Sequence, residues 1–379
     1  MNNSIPFNKP CVVDRSQEYL IDVLHAEKLS GNGDYTKKCH LFFENKYGFN
    51  KVLLTTSCTD ALEMASLLID AQDGDEIIVP SYTFVSSALA FTRQGAKIVF
   101  ADSETNTPNL DVSMLETLIT PRTKAIIPVH YAGVAVDMDP LLEIAKKYNL
   151  FVVEDAAQAI DSYYKGKPLG SLGDFGCFSF HDTKNITSGE GGMLVINNPV
   201  FSKRAEILWE KGTNRSEFFR GEVNKYGWVD TGSSFLPSEL NAALLFSQLE
   251  RMEEIQRKRL HIWNIYNNNL KKLEEKKLIS LQKIPEYATN NGHMYYMVCN
   301  TPEERTQLIE HLRQDGIHAV FHYLSLHKSE YAQKHNSDKS YLPMSDYYTE
   351  RLVRLPLFYS MSDEDVDRVV SSIFDFFQL

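Results

Sequence analysis

Paired cysteines are what this chain most plainly lacks. Its five, Cys11, Cys39, Cys58, Cys177 and Cys299, are scattered, with no CxxC spacing. An odd, dispersed set argues against a disulfide framework and against a structural zinc site, and it points to a reducing cytoplasm. The eleven histidines are dispersed too. His318 and His322 fall in an apolar, strand-like run, which argues against a helical His-x3-His pair, so no metal site is expected. No uninterrupted apolar run approaches the ~18 residues of a membrane helix, and no membrane insertion is expected. The opening MNNSIPFNKP lacks the charged-then-apolar layout of a signal peptide. Positive charge is in deficit: 39 Lys and Arg against 50 Asp and Glu leave a net −11. Nucleic acid is therefore not an expected partner. An acidic chain that binds a polyanion must do so with backbone dipoles and a few placed cations. Internal repeats and low-complexity tracts are absent.

What is present is ordinary globular composition, 43% hydrophobic and 23% charged, which excludes collagen, coiled coil and wholesale disorder. At roughly 150 residues per domain, 379 residues predict two. Between about 50 and 200, short apolar runs alternate with helical patterns. Lys51–Thr55, Glu76–Pro80, Ala96–Ala101, Lys124–Val129, Leu150–Val153, Phe175–Phe180 and Met193–Ile196 read as strands. Thr59–Asp70, Thr83–Gln94, Val112–Ile119 and Pro140–Asn149 read as helices. Short, continuously apolar strands between helices indicate a parallel sheet covered on both faces. From about 240 to 280 the pattern predicts one long helix. A smaller α+β unit follows, with strands at Tyr295–Cys299 and Ile317–Tyr323 and helix starts at Thr301-Pro-Glu-Glu304 and Ser362-Asp-Glu-Asp365. The division is placed inside the long helix, giving a large domain over 1–247 and a small C-terminal domain over 248–379.

The most informative stretch is FVVEDAAQAIDSYYKGKPLGSLGDFGCFSFHDTKNITSGEGG, residues 151–192. Its first strand ends in Glu154-Asp155. A carboxylate at the carboxyl end of a parallel strand lies where open α/β sheets bind ligands; read locally, Asp155 is equally a cap for a following helix. Lys184 leaves another strand for the Gly-rich turn Gly189–Gly192. Taken alone it is a solvated surface charge, the usual fate of Lys. Together the two residues fit pyridoxal phosphate (PLP). That cofactor needs a Lys to hold it as a Schiff base and an acid to keep its ring nitrogen protonated, so that the ring takes up electrons. It also needs a phosphate cradle, best supplied by amides and hydroxyls at a helix N-terminus. Thr55-Thr-Ser-Cys-Thr59-Asp60 joins a strand to a helix and is rich in hydroxyls, and Ser179 adds another.

The segments VEDAAQA (153–159), YKGKPLGSLGDFGCFSFHDTKN (164–185) and EGGMLVIN (190–197) resemble the DegT/DnrJ/EryC1/StrS sugar aminotransferases. So do PSYTFVSSALA (80–90), PVHYAGVAVDMD (128–139), HYLSLHKS (322–329) and RLPLFYSMSDEDVDRV (354–369). They span essentially the whole chain in order. The resemblance implies the α/β fold of aspartate aminotransferase, fold type I, with a large, mostly parallel mixed sheet and a smaller α+β C-terminal domain. It implies PLP as cofactor, with pyridoxamine phosphate as intermediate. Lys184 would be the Schiff-base lysine and Asp155 the partner of the ring nitrogen. Gln158, one helical turn on, would reach the ring's phenolic oxygen. Phe84 would stack on the ring, although by pattern it reads as a core Phe. Cys58, Thr59 and Ser179 would hold the phosphate. His293 and His327 match positions near the sugar pocket; either also reads as a structural histidine.

KGTNRSEFFRGEVNKYGW (211–228) and DTGSSFL (230–236) resemble a subgroup serving cell-surface glycans such as enterobacterial common antigen. That subgroup moves the amino group of L-glutamate to the 4-keto carbon of dTDP-4-dehydro-6-deoxyglucose. The relatives act as homodimers with shared active sites. Many of them carry Gly-x-Asn-x-Arg, whose Asn reaches the neighbouring subunit's phosphate. Here Ser234 stands at the Asn and Leu236 at the Arg. Arg215, Arg220 and Tyr226, in the 211–228 loop, would face the nucleotide diphosphate, and Gly31–Tyr35 would add a second piece. The same loop, with its mixture of Lys, Arg and Glu, also reads as a solvated surface.

Overall fold

The computed structural model describes residues 4–335 and 340–379. Along the chain the first strands are β1 (Val52–Thr55), β2 (Glu76–Pro80), β3 (Lys97–Ala101), β4 (Thr123–Ile126) and β5 (Phe151–Asp155). A two-stranded hairpin, β6 (Tyr163–Tyr164) and β7 (Lys167–Pro168), precedes β8 (Phe175–Ser179) and β9 (Gly192–Ile196). Seven of these form one sheet in the order β1-β9-β8-β5-β4-β2-β3. β3, β2, β4, β5 and β8 are parallel, whereas β9 runs antiparallel to both β8 and β1. The purely parallel sheet expected from the alternation is therefore mixed at one side. No helix lies between β8 and β9, and without a crossover the chain returns antiparallel.

Successive side chains of a strand point to opposite faces, and here both faces are apolar. Val52, Leu54, Ile78, Ile126, Val152, Phe178, Met193 and Val195 join the core beneath helices Ser16–His25, Asp34–Tyr47, Met138–Tyr148 and Glu239–Leu249. Leu53, Ile77, Val79, Ala125, Val153, Cys177 and Leu194 enter the opposite core with helices Cys58–Leu68, Ser86–Thr92 and Ser202–Trp209. Burial on both sides is why these strands read as continuous apolar runs.

The single helix expected over 240–280 is two, Glu239–Leu249 and Met252–Glu275. Nothing in local propensity marks the break. Glu250, at the joint, accepts hydrogen bonds from Tyr19 Oη (2.5 Å) and Arg15 Nη1 (3.1 Å). The first half packs on the two N-terminal helices, and the second on Asp363–Phe376. Strands β10 (Ile279–Leu281), β11 (Tyr295–Cys299) and β12 (Leu352–Leu355) make an antiparallel sheet in that order. Ile317–Tyr323, expected as a strand, makes only isolated bridges, Ile317 to Ile5 and Val320 to Arg354. Ser362 forms the anticipated capping box with Asp365. Ile5 is buried in the C-terminal core with Ile262, Met297 and Val353, so the N-terminal segment packs beside the C-terminal sheet.

Candidate active site

Asp155 is the last residue of β5 and 5% exposed. No helix follows it; the chain turns instead toward β6. The helix-cap reading therefore fails, and its carboxylate is spent differently. Oδ1 accepts the Ala157 amide at 3.1 Å, a local turn, and Oδ2 accepts the Ser87 hydroxyl at 2.6 Å. Ser87 is itself held by Thr83 Oγ1 at 2.9 Å. Gln158 lies on that turn rather than one helical turn away. Its Oε1 accepts the Ala132 amide at 2.6 Å, and its Nε2 donates to Tyr323 Oη at 3.0 Å.

Asp155 and Lys184 line one cavity of about 580 Å³ with Cys58, Thr59, Phe84, Gln158, Ser179 and His293. Lys184 keeps part of its surface open to the cavity. The groups crowding it nevertheless strip water from the ammonium and push its pKa below the ordinary lysine value, against the raising effect of Cys58 and Asp155. A lysine so placed reaches the neutral, nucleophilic amine more readily than a solvated one. Burial drives the His293 pKa well below the ordinary histidine value. Asn185 donates its amide nitrogen to Gln256 and to the Asn291 carbonyl, so its oxygen faces His293 Nδ1 at 2.9 Å. His293 therefore carries its proton on Nδ1 and leaves Nε2 as an acceptor.

At the other end of the cavity stands the N-terminus of helix Cys58–Leu68. Ser57 caps it by accepting the Asp60 amide at 3.0 Å. Thr59 Oγ1 and Ser86 Oγ are 2.7 Å apart, and Ser179 and Gly191 complete this side. Burial raises the Cys58 thiol well above its usual pKa, so it stays protonated. Gly192 explains the tight approach of β9. A Cβ there would meet the Ser57 carbonyl carbon at 2.3 Å and the Cys58 amide nitrogen at 2.4 Å. Unpaired amides of a helix N-terminus bordered by hydroxyls suit a phosphate. A desolvated lysine and a hydrogen-bonded carboxylate across the cavity suit a pyridine aldehyde, so the donor set fits PLP.

Phe84 is 56% exposed on the cavity rim, its ring 6.2 Å from Tyr323, so it is not a core residue in this chain. Other expected residues lie elsewhere. His327 is held by Ser81 Oγ at 2.7 Å and faces Asp346 at 3.7 Å, away from the cavity lining. Arg220 pairs with Glu206 (2.9 Å) and Glu222 (2.6 Å). Arg215 lies 5.2 Å over the Phe219 ring, and Tyr226 packs on Phe218. Ser234 is exposed and bridges to Glu210. None of these five lines the cavity of its own chain. Gly33 and Tyr35 donate their amides to buried Glu239 at 3.0 and 2.7 Å, which anchors the 31–35 loop to the helix at Glu239.

The cavity also contains residues given no role from sequence, among them Phe7, His322, Tyr323 and Arg354. The one available signal was Arg354, a charge inside the apolar run Leu352–Leu355.

The profile described as the DegT/DnrJ/EryC1/StrS aminotransferase family matches residues 10–374. GDP-perosamine synthase of Escherichia coli O157:H7 is 34% identical over 98% of this chain and 98% of its own. Spore coat polysaccharide biosynthesis protein SpsC of Bacillus subtilis is 32% identical, covering 99% and 97%. Among solved structures, Spr1654 of Streptococcus pneumoniae, described as a sugar aminotransferase, superposes in its PMP form with a TM-score of 0.91. It is 28% identical and covers 99% of both chains; a PLP form of the same protein matches at 0.90. Profile, relatives and fold agree with the cavity: this chain belongs to the DegT/DnrJ/EryC1/StrS aminotransferase family of PLP-dependent sugar aminotransferases.

Proposed function

We propose that the protein moves the amino group of L-glutamate to the 4-keto carbon of dTDP-4-dehydro-6-deoxyglucose, giving dTDP-4-amino-4,6-dideoxygalactose and 2-oxoglutarate. The observation that carries the reaction type is Lys184 and Asp155 facing one cavity that ends at the N-terminus of helix Cys58–Leu68. When bound there, PLP supplies the carbonyl that receives the amino group and the ring that takes up electrons. Lys184 Nζ serves as the base that carries a proton between the two carbons involved, since it is tethered beside them. Asp155, buttressed by Ser87, holds the ring nitrogen protonated.

The choice of dTDP-linked sugar rests on the 211–236 segment and its resemblance to the 4-aminating subgroup. A second reading, a GDP-linked sugar, is favoured by the GDP-perosamine synthase relative. Amination at the 3-position, or at the 4-position with opposite stereochemistry, uses the same cofactor residues. Glutamate with each nucleotide-linked 4-keto-6-deoxysugar, followed by NMR of the product, separates these. Preferential turnover of the GDP substrate overturns the dTDP reading.

We further propose a homodimer with shared active sites. Phe219 is 69% exposed, Trp228 84% and Val229 56%, on the segment that carries Arg215, Arg220 and Tyr226. An apolar cluster of this kind calls for a cover. Docking it on a second copy would bring these residues to the neighbour's cavity. The five cysteines, all unpaired, favour a cytoplasmic enzyme. No helix of the described residues is long and apolar enough to cross a membrane.

A further inference from the structure

Glu154 and Asp155 are neighbours on β5, so their side chains leave opposite faces of the sheet. Asp155 lines the cavity; Glu154 does not. Glu154 is fully buried, as is His130 beside it. A buried carboxylate needs partners, and four donors converge on this one. His130 Nε2 lies 3.0 Å from Oε2, and the Gly170 amide donates to the same oxygen at 2.8 Å. The Leu172 and Gly173 amides donate to Oε1 at 2.7 Å each. His130 Nδ1 accepts the Val136 amide at 3.2 Å, so the ring carries its proton on Nε2 and donates it to Glu154. Glu154 thereby ties together β5, the turn at 170–173 that leads into β8, and the loop 130–136.

That loop carries a strained residue. Ala132 has φ 56° and ψ 20°, the left-handed region that a residue with a Cβ rarely adopts. Such a conformation persists where its surroundings over-determine it, and here they do. Asn109 accepts the Tyr131 amide at 3.0 Å and donates to the Val134 and Ala135 carbonyls at 3.1 and 3.0 Å. Ser162 Oγ donates to the Gly133 carbonyl at 2.6 Å, and His130 closes the loop through Val136. The result is an Ala132 amide aimed at Gln158 Oε1, 2.6 Å away. A flipped Gln158 would set its NH2 against that N–H, so the side-chain amide is fixed one way round. Its Nε2 then carries the two remaining hydrogens. Tyr323 Oη takes one at 3.0 Å, and among the described residues no acceptor takes the second. Gln158 is buried and lines the cavity.

We propose that Glu154 and His130 are positioning residues for the cavity: by holding the 130–136 loop they keep Ala132 left-handed, and so set Gln158 to meet a bound group as a donor. Without them the loop relaxes toward ordinary backbone angles and the Ala132 amide leaves Oε1. Gln158 then turns either end toward the cavity, and an acceptor oxygen bound there loses a defined partner. The pair stands behind the cavity wall and touches neither cofactor nor substrate. Its action does not depend on which sugar nucleotide is aminated.

The test compares Glu154→Gln and His130→Asn, each alone and combined with Gln158→Ala. Glu154→Gln leaves one acceptor oxygen where four donors converge. His130→Asn keeps an acceptor for Val136 but loses the donor to Glu154. In cofactor-free wild type, 15N NMR should show His130 protonated at Nε2 and bare at Nδ1. A PLP titration should find each single variant weakened about 3- to 10-fold, the range for one neutral hydrogen bond. The absorption maximum of the bound cofactor should move in the same direction as in Gln158→Ala. Combined with Gln158→Ala, either variant should add less than about two-fold, because residues acting through one another are not additive. A contribution to folding alone would persist in that background. If Glu154→Gln or His130→Asn weakens PLP equally with and without Gln158→Ala, the proposal is overturned. A His130 proton on Nδ1 overturns it as well. Should Glu154→Gln fail to fold, His130→Asn and the wild-type tautomer decide.

Discussion

Ser87 donates its hydroxyl to Asp155 Oδ2 at 2.6 Å, joining the helix Ser86–Thr92 to the end of β5. A hydrogen bond of this kind fixes the orientation of the carboxylate. The pair thus ties the orientation of the Asp155 carboxylate to the packing of an adjacent helix.

Asp155→Ala should cost at least ~4 kcal/mol in the chemical step, about 10³-fold in rate. Ser87→Ala removes only the orienting donor and should cost ~1.5–3 kcal/mol. Single-turnover rates of the glutamate half-reaction check both. A Ser87→Ala loss as large as that of Asp155→Ala would mean that the serine does more than hold the carboxylate.

Borohydride reduction of the PLP-loaded enzyme followed by peptide mapping should place the label on Lys184. Lys184→Ala should lose the yellow colour of the bound cofactor and all transamination. A label on another lysine refutes the assignment.

His293 has a depressed pKa in the folded state because burial disfavours its charged form. The unfolded chain therefore binds the extra proton first as pH falls through 6.5, the ordinary value. Stability should drop below that pH, by up to ~1.4 kcal/mol per pH unit from this one residue. Denaturation of the cofactor-free protein between pH 7.5 and 5.5 measures the slope, and His293→Gln should flatten it. An unchanged slope in the variant would assign the loss to other groups.

Gly192→Ala should cost ~1–3 kcal/mol, the usual penalty of overpacking, because its Cβ would strike the backbone of Ser57 and Cys58. Displacing that helix N-terminus should also weaken cofactor binding. Urea denaturation and a PLP titration read the two effects, and a variant with unaltered PLP affinity would show that the helix end is not the phosphate seat.

Mixing Lys184→Ala chains with chains defective in the 211–236 loop should restore part of the activity, since one composite site can then be intact. A fully active monomer in sedimentation-controlled assays rules the shared site out.

The sheet was legible because two-sided burial writes itself into sequence as short apolar runs, and β1 to β5, β8 and β9 all fall where those runs are. That Asp155, Lys184 and the hydroxyl-rich turn at 55–60 come near one another was foreshadowed because each ends or follows a strand, where ligands of open α/β sheets collect. Tertiary structure alone decided the rest. At the break, Glu250 is held by Tyr19 and Arg15, more than two hundred residues away. The role of Asp155 as something other than a helix cap depends on Ser87 and on the turn that replaces the helix. Arg354 looks like an anomaly in an apolar strand until the small sheet is laid against the large one, because only then does its face of β12 become a wall of the cavity. Pattern records which face of an element is buried; it does not record what stands opposite that face.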